Sequence, residues 1–210
     1  MRLVSINAGK TRQLDGPGYS GISGIYKEPV PGAVRVTELG LVGDEIVNTK
    51  HHGGPDQALY LYRSEDYDWW AEQLGQTLVP GQFGENLTVS GLPSSDALIG
   101  TRLTFDSVTL ELTAPRIPCS QFAARMGDKG FLNQFIDANR PGFYARVLRT
   151  GELTAGEAFS LSEPDGHTVS IVELYQAAYR KLGDDELRRF LAVPIDVRTR
   201  AKFEAALAAS

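Results

Sequence analysis

Short apolar runs separated by glycine-rich turns fill residues 1–165, and that pattern predicts strands. Val34-Arg35-Val36, Ala58-Leu59-Tyr60-Leu61-Tyr62 and Leu103-Thr104-Phe105 are three such runs. Thr109-Leu110-Glu111-Leu112-Thr113 alternates, as a half-buried strand does. Phe143–Leu148 and Glu157–Leu161 flank Arg149-Thr150-Gly151-Glu152, which predicts a terminal hairpin. Many short strands with frequent glycine predict a barrel or a sandwich. Helical spacing interrupts them over Ser64–Leu74. There Ser64 is the expected N-cap, Glu65 and Asp66 suit the positive end of the helix dipole, and Gly75 ends the helix. Further helix is expected over Gln121–Met126 and Lys129–Asn139.

The texture changes at Glu163-Pro164-Asp165-Gly166, after which the chain reads as helical. Ser170-Ile171-Val172-Glu173 fits a capping box, followed by apolar residues at helical spacing up to Gly183. Asp184–Leu191 and Asp196–Ala208 predict two more helices, with Pro194 between them. The expected fold is mainly β: a barrel-like domain over residues 1–165 with a few inserted helices, then a three-helix appendage over 166–210. Three short helices cannot bury a good core alone, so they are expected to pack on the barrel. They are also expected to be dispensable for what the barrel binds.

The chain has 210 residues, 42% hydrophobic and 22% charged, which suits a globular domain with an appendage. Its net charge of -5 and the absence of a basic stretch argue against nucleic acid as a partner. No apolar run has the length of a membrane span. The opening Met1-Arg2-Leu3-Val4-Ser5-Ile6 reads as folded sequence rather than a secretory signal. One cysteine cannot form an internal disulfide. Together these features predict a cytoplasmic protein.

That cysteine, Cys119, ends Ala114-Pro115-Arg116-Ile117-Pro118-Cys119. Two prolines stiffen the segment, and Arg116 places a positive charge three residues from a sulfur that, as thiolate, is a soft metal ligand. The plain alternative is a small buried hydrophobe. In Lys50-His51-His52-Gly53-Gly54-Pro55-Asp56-Gln57, paired glycines allow close backbone approach to an anion, with Lys50 and His52 as donors and Asp56 to orient a ring nitrogen. The alternative is a polar turn; two adjacent histidines without HExxH or CxxC are weak evidence for a protein-ligated metal. In Pro80-Gly81-Gln82-Phe83-Gly84-Glu85-Asn86, Asn86 is suited to the edge of a heterocycle, while the segment by itself reads as a structural loop. Asp44 in Gly40-Leu41-Val42-Gly43-Asp44 reads as a turn cap.

In this order, GLVGD at 40–44, HHGGPDQA at 51–58, YDWW at 67–70, GQFGENLTVSGL at 81–92 and PRIPC at 115–119 resemble the MOSC family, domains of the molybdenum-cofactor sulfurase C-terminal type. The resemblance covers about residues 1–165, and the helical tail is similar to that of YiiM-type members. It implies a β-rich barrel with a cleft for the molybdenum cofactor, a molybdopterin. Cys119 then matches the family's molybdenum ligand, and Lys50, His52, Gly53, Gly54, Asp56, Asn86 and Arg116 fall in its cofactor-binding segments. The implied activity is reduction of N-hydroxylated compounds, hydroxylamino nucleobases among them, in detoxification. The rival expectation is a carrier of the cofactor, or of sulfur on Cys119, without turnover. No iron–sulfur, haem or dinucleotide motif is present, so electrons are expected from a separate flavin or iron–sulfur reductase.

Overall fold

A computed structural model describes residues 1–47, 53–93 and 97–209. The strands are β1 (Arg2–Ala8), β2 (Arg12–Gly16), β3 (Tyr19–Ser23), β4 (Glu28–Pro29), β5 (Ala33–Thr37), β6 (Gly40–Leu41), β7 (Leu59–Arg63), β8 (Leu87–Ser90), β9 (Arg102–Thr104), β10 (Thr109–Ala114), β11 (Phe143–Arg149), β12 (Gly151–Thr154) and β13 (Ser160–Ser162). The helices are α1 (Ser64–Leu74), α2 (Ser120–Met126), α3 (Phe131–Asp137), α4 (Ile171–Ala177), α5 (Asp184–Leu191) and α6 (Val197–Ala208).

Eight strands form a mixed sheet in the order β13-β9-β10-β11-β7-β8-β1-β4. Only β7 and β8 run parallel within it, and α1 supplies the crossover that parallel neighbours need. Strands β12, β5 and β6 form a second sheet, and β2 with β3 a hairpin. The β-rich class is as expected, but the ladder does not close into a barrel. The second edge of β1 is divided: Asn7 and Ala8 pair with β4, while Arg2 forms an isolated bridge with Ala158. Leu3 N–H donates to the Glu157 carbonyl at 2.9 Å beside that bridge. The sheet therefore curls until the segment before β13 meets β1, without a continuous pairing.

The expected terminal hairpin is also corrected. Strand β12 leaves the large sheet to pair with β5, and β13 pairs with β9. Ser107 directs this departure, since its hydroxyl donates to the Glu152 carbonyl at 2.6 Å and accepts from the Glu152 N–H at 2.9 Å. Strand β10 is buried from Leu110 to Ala114 rather than half-buried. Its polar side chains have fixed partners there: Glu111 meets Arg102 and Arg146 at 3.1 and 3.2 Å, and the Thr113 hydroxyl donates to the Asp56 carbonyl at 2.5 Å.

Helix α1 starts at Ser64, with Arg63 in the capping position, so Ser64 is not the cap. Gly75 ends it in the left-handed conformation (φ 62°). Ser170 and Glu173 form the expected capping box on α4. Asp196 caps α6, its Oδ1 accepting from the Arg198 and Thr199 N–H groups at 3.2 and 3.3 Å. Leu174, Leu187, Phe190 and Phe203 of these C-terminal helices join one apolar cluster with Leu3, Leu61, Leu110 and Ala145 of the sheet. A second cluster is aromatic: Tyr62, Trp70, Phe83, Phe122, Phe131 and Phe135 are fully or almost fully buried, and Cys119 packs against them. Among the described residues, no helix is long and apolar enough to cross a membrane.

Candidate functional site

One cleft is lined by Gly53, Tyr60, Asn86, Arg116, Cys119 and Tyr144, together with Lys27, Asp44, Glu45 and Gln121. Neighbouring strands β10, β11, β7 and β8 and their flanks deliver one part of it, and the stretches 24–27 and 44–47 deliver another. Tyr60 lies on β7, Tyr144 on β11, Asn86 directly before β8, and the Arg116–Cys119 segment follows β10. Cys119 is partly exposed and stands at the N-terminal flank of α2, its carbonyl accepting the Phe122 N–H at 2.9 Å.

Arg116 is buried, and its fixed surroundings show how the sequence holds it. One terminal nitrogen donates to the Phe83 carbonyl, and the guanidinium lies 4.0 Å from the Phe122 ring centroid and 5.1 Å from that of Tyr60. Its Nε is buried and has no hydrogen-bond partner among the described residues. A buried cationic donor with capacity to spare, facing the cleft that Cys119 lines, suits an anionic ligand.

Asn86 lines the cleft and ties its walls together. Its Oδ1 accepts from the Tyr60 N–H at 3.1 Å, and its Nδ2 donates to Asp44 Oδ2 at 2.9 Å and to the Asn7 carbonyl at 3.4 Å. Asp44 is a hub rather than a simple turn cap: it also accepts from the Gly9 N–H at 2.9 Å and from Lys27 Nζ. Lys27 and Asp44 form an ion pair in which each side chain is 6% exposed. Neighbouring Glu45 is different in kind. The Thr11 N–H and the Lys10 ammonium hold its carboxyl down at about 2.

Glu85 organises the Gly81–Asn86 loop. It is fully buried and accepts from the Gly81 N–H at 2.6 Å, the Tyr67 hydroxyl at 2.7 Å and the Thr88 hydroxyl at 2.8 Å, and burial pushes its pKa up. Gly81 is required here, because its φ is 87° and a Cβ would stand 2.4 Å from the Lys27 carbonyl oxygen.

Of the residues read from sequence, the structure gathers Cys119, Arg116, Asn86 and Gly53 around one cleft. Gly54 and Asp56 stand outside its lining. Asp56 braces other elements, pairing with Arg146 at 3.0 Å and accepting the Val197 N–H at 2.9 Å. Lys50, His51 and His52 lie outside the described residues. The tail is not remote from the cleft. Arg198 of α6 donates to the Gly53 carbonyl at 2.9 Å and to Gln57 Oε1 at 3.2 Å, and Gln57 Nε2 donates to Asp196 at 3.2 Å. These bonds tie the last helix to one wall of the cleft.

The MOSC domain pattern matches residues 48–160, more than half of the chain. The chain belongs to the MOSC family. It is 35% identical to YflK of Bacillus subtilis (strain 168) over 76% of this chain and 72% of that protein. To YiiM of Escherichia coli (strain K12) it is 30% identical, over 81% and 77% of the two chains. A protein of Gibberella moniliformis named as a reductase matches at 32% identity over 77% of this chain but only 29% of its own length. The crystal structure of YiiM from Geobacillus stearothermophilus superposes with a TM-score of 0.81 at 26% identity, covering 98% of both chains. This MOSC chain therefore has a YiiM-like fold, tail included.

Sequence reasoning missed Lys27, Gln121 and Tyr144, and took Asp44 for a turn residue. Tyr144 and Gln121 carry a weak signal, an aromatic on a predicted strand and a polar residue just after Cys119. Lys27 carries none, because it sits between Tyr26 and Glu28 in an irregular stretch before the matched pattern.

Proposed function

We propose that this MOSC protein is a molybdenum-cofactor-dependent oxidoreductase that reduces N-hydroxylated compounds such as hydroxylamino nucleobases. The observation that carries the reading is that Cys119, the only cysteine of the sequence, lines the same cleft as the buried Arg116. The reductase named among the relatives supports it at a coarser level.

The donor set fits the cofactor. Among the described residues no group of three His, Cys, Asp or Glu is arranged to hold a metal ion. A metal that brings its own dithiolene sulfurs needs from the protein only one soft ligand, which Cys119 supplies. The Nε of Arg116, partnerless among the described residues, and the Gly53 backbone suit an anionic pterin, and Lys50 and His52 join them on sequence grounds. Asn86, Gly54 and Asp56 serve this reading by bracing the walls.

When bound, the cofactor supplies the two electrons that cleave an N–O bond. The protein's part is to hold the metal through Cys119, to fix the anionic portion with Arg116, and to orient the substrate in the cleft. The electrons come from a separate flavin or iron–sulfur reductase that docks transiently. The test is elemental and pterin analysis of protein made in a host that synthesises the cofactor, followed by an assay on a hydroxylamino base with reduced viologen as donor. Bound molybdenum with turnover is expected, with no turnover on NADPH alone. Bound cofactor without turnover would leave a carrier, and neither would leave a fold without the cofactor.

A further inference from the structure

Converting an N-hydroxyl group to an amine consumes two electrons and two protons and releases water. The leaving hydroxyl oxygen needs an acid beside it, and the cleft offers few candidates. Arg116 does not release its proton. Glu45, held near 2, carries none to give. Both oxygens of Asp44 are occupied as acceptors, from Gly9, Lys27 and Asn86. The Tyr60 hydroxyl is committed to the Pro141 carbonyl at 2.8 Å, and burial raises the pKa of both Tyr60 and Tyr144, so each holds its proton more tightly. Cys119 is the metal ligand in the reading above.

Lys27 is left among the described residues. Lys27 lines the cleft, and its ammonium, with three N–H donors, is bonded among the described residues to Asp44 alone. Its place is rigid. Asp44 is itself anchored by Asn86 and Gly9, and Gly81 packs against the Lys27 backbone. We propose that Lys27 is the acid that protonates the leaving oxygen of the N-hydroxyl substrate.

This inference rests on the reductase reading. As the N–O bond breaks, two electrons enter from the reduced cofactor, which the flavin or iron–sulfur reductase recharges. One electron pair remains on nitrogen and one on oxygen. Lys27 gives its proton to the oxygen, which leaves as water. Nitrogen takes the second proton from solvent through the open cleft, and Lys27 is reprotonated the same way. Among the described residues, the charged groups facing Lys27 are Asp44 and Glu45. Both favour the ammonium, but burial outweighs them and lowers its pKa, which makes it a stronger acid than a surface lysine.

Two measurements test the proposal. The chain has six lysines, few enough to resolve by NMR of lysine labelled at Cε. In the cofactor-free protein one of them should titrate below the rest, and its signal should vanish in Lys27→Arg. Six lysines titrating alike would overturn the proposal. In the loaded enzyme, Lys27→Arg keeps a cation opposite Asp44 but cannot give up a proton. Its kcat should fall about 100-fold or more while pterin content and KM hold. Lys27→Met, a smaller change in volume, should lose the same activity, with thermal melting to confirm folding. The wild-type kcat should fall as pH rises through the Lys27 pKa, and the residual rate of Lys27→Arg should lack that limb. A Lys27→Arg enzyme within about threefold of wild type overturns Lys27 as the acid and leaves the reductase reading standing. A wild type that binds cofactor but reduces nothing overturns both.

Discussion

Arg198 spans 145 positions of sequence to donate to the Gly53 carbonyl at 2.9 Å. The same guanidinium holds Gln57 Oε1, and Gln57 in turn holds Asp196. One wall of the cleft is therefore pinned by the first turn of the last helix.

Arg198→Ala should lower the pterin retained per protein, because Gly53 and Gln57 both lose the Nη1 donor that holds them, and Arg198→Lys, which keeps a cationic donor on a shorter side chain, should retain an intermediate amount. The stability cost should be about 1–3 kcal/mol, from hydrogen bonds made by a charged group. Equal pterin content in all three proteins would remove the positioning role. Ending the chain before Asp196 should reduce cofactor content further.

Cys119→Ser should lose molybdenum and turnover together, since a hydroxyl is a harder and less acidic ligand than a thiol. The fold should persist, with a melting temperature within a few degrees of wild type, because the side chain is only partly buried. Metal analysis of Cys119→Ser beside its melting curve separates the two effects.

Asn86→Ala removes bonds to Tyr60, Asp44 and Asn7 at once. A cost of about 2–4 kcal/mol is expected, read from urea unfolding. A loss below about 0.5 kcal/mol would mean that these bonds exchange freely with water.

Glu85 yields a prediction about pH. Burial raises its folded-state pKa, so the folded protein binds the proton more tightly than the unfolded chain does. The stability this contributes is fully present below the unfolded value near 4.5 and is lost as pH rises through the folded value. Glu85→Gln lacks the titration but keeps an oxygen for the Gly81, Tyr67 and Thr88 donors. The advantage of wild type over Glu85→Gln should therefore shrink from pH 5 to pH 8. Parallel melts across that range check it, and a constant difference would contradict it.

The short-range features were legible in the sequence because their causes are local. Ser170 and Glu173 meet within one helical turn, Gly75 stops α1 with its left-handed φ, and Asp184–Leu191 is helical to the residue. The misreadings concern pairing at a distance. Nothing near Gly151 states that β12 will join β5, since that partner lies far upstream. The alternation of β10 was visible, but burial of its polar face depends on Arg102, Arg146 and Asp56 arriving from elsewhere. The site divides in the same way. Cys119 and Arg116 share one short segment and could be read together, whereas Lys27, Asp44 and Asn86 become one hydrogen-bonded unit only after β1, β6 and β8 have been assembled.

The tie between Gly53 and Arg198 also dates the cleft within the protein's own synthesis. A chain emerging from its N-terminus has Cys119 and Arg116 in hand early, but the wall at Gly53 and Gln57 stays unclamped until residue 198 has been made and α6 has docked. The cleft is finished only once α6 has docked, so a ligand that needs this wall is held only after the whole stretch from Gly53 to Arg198 has been made and folded.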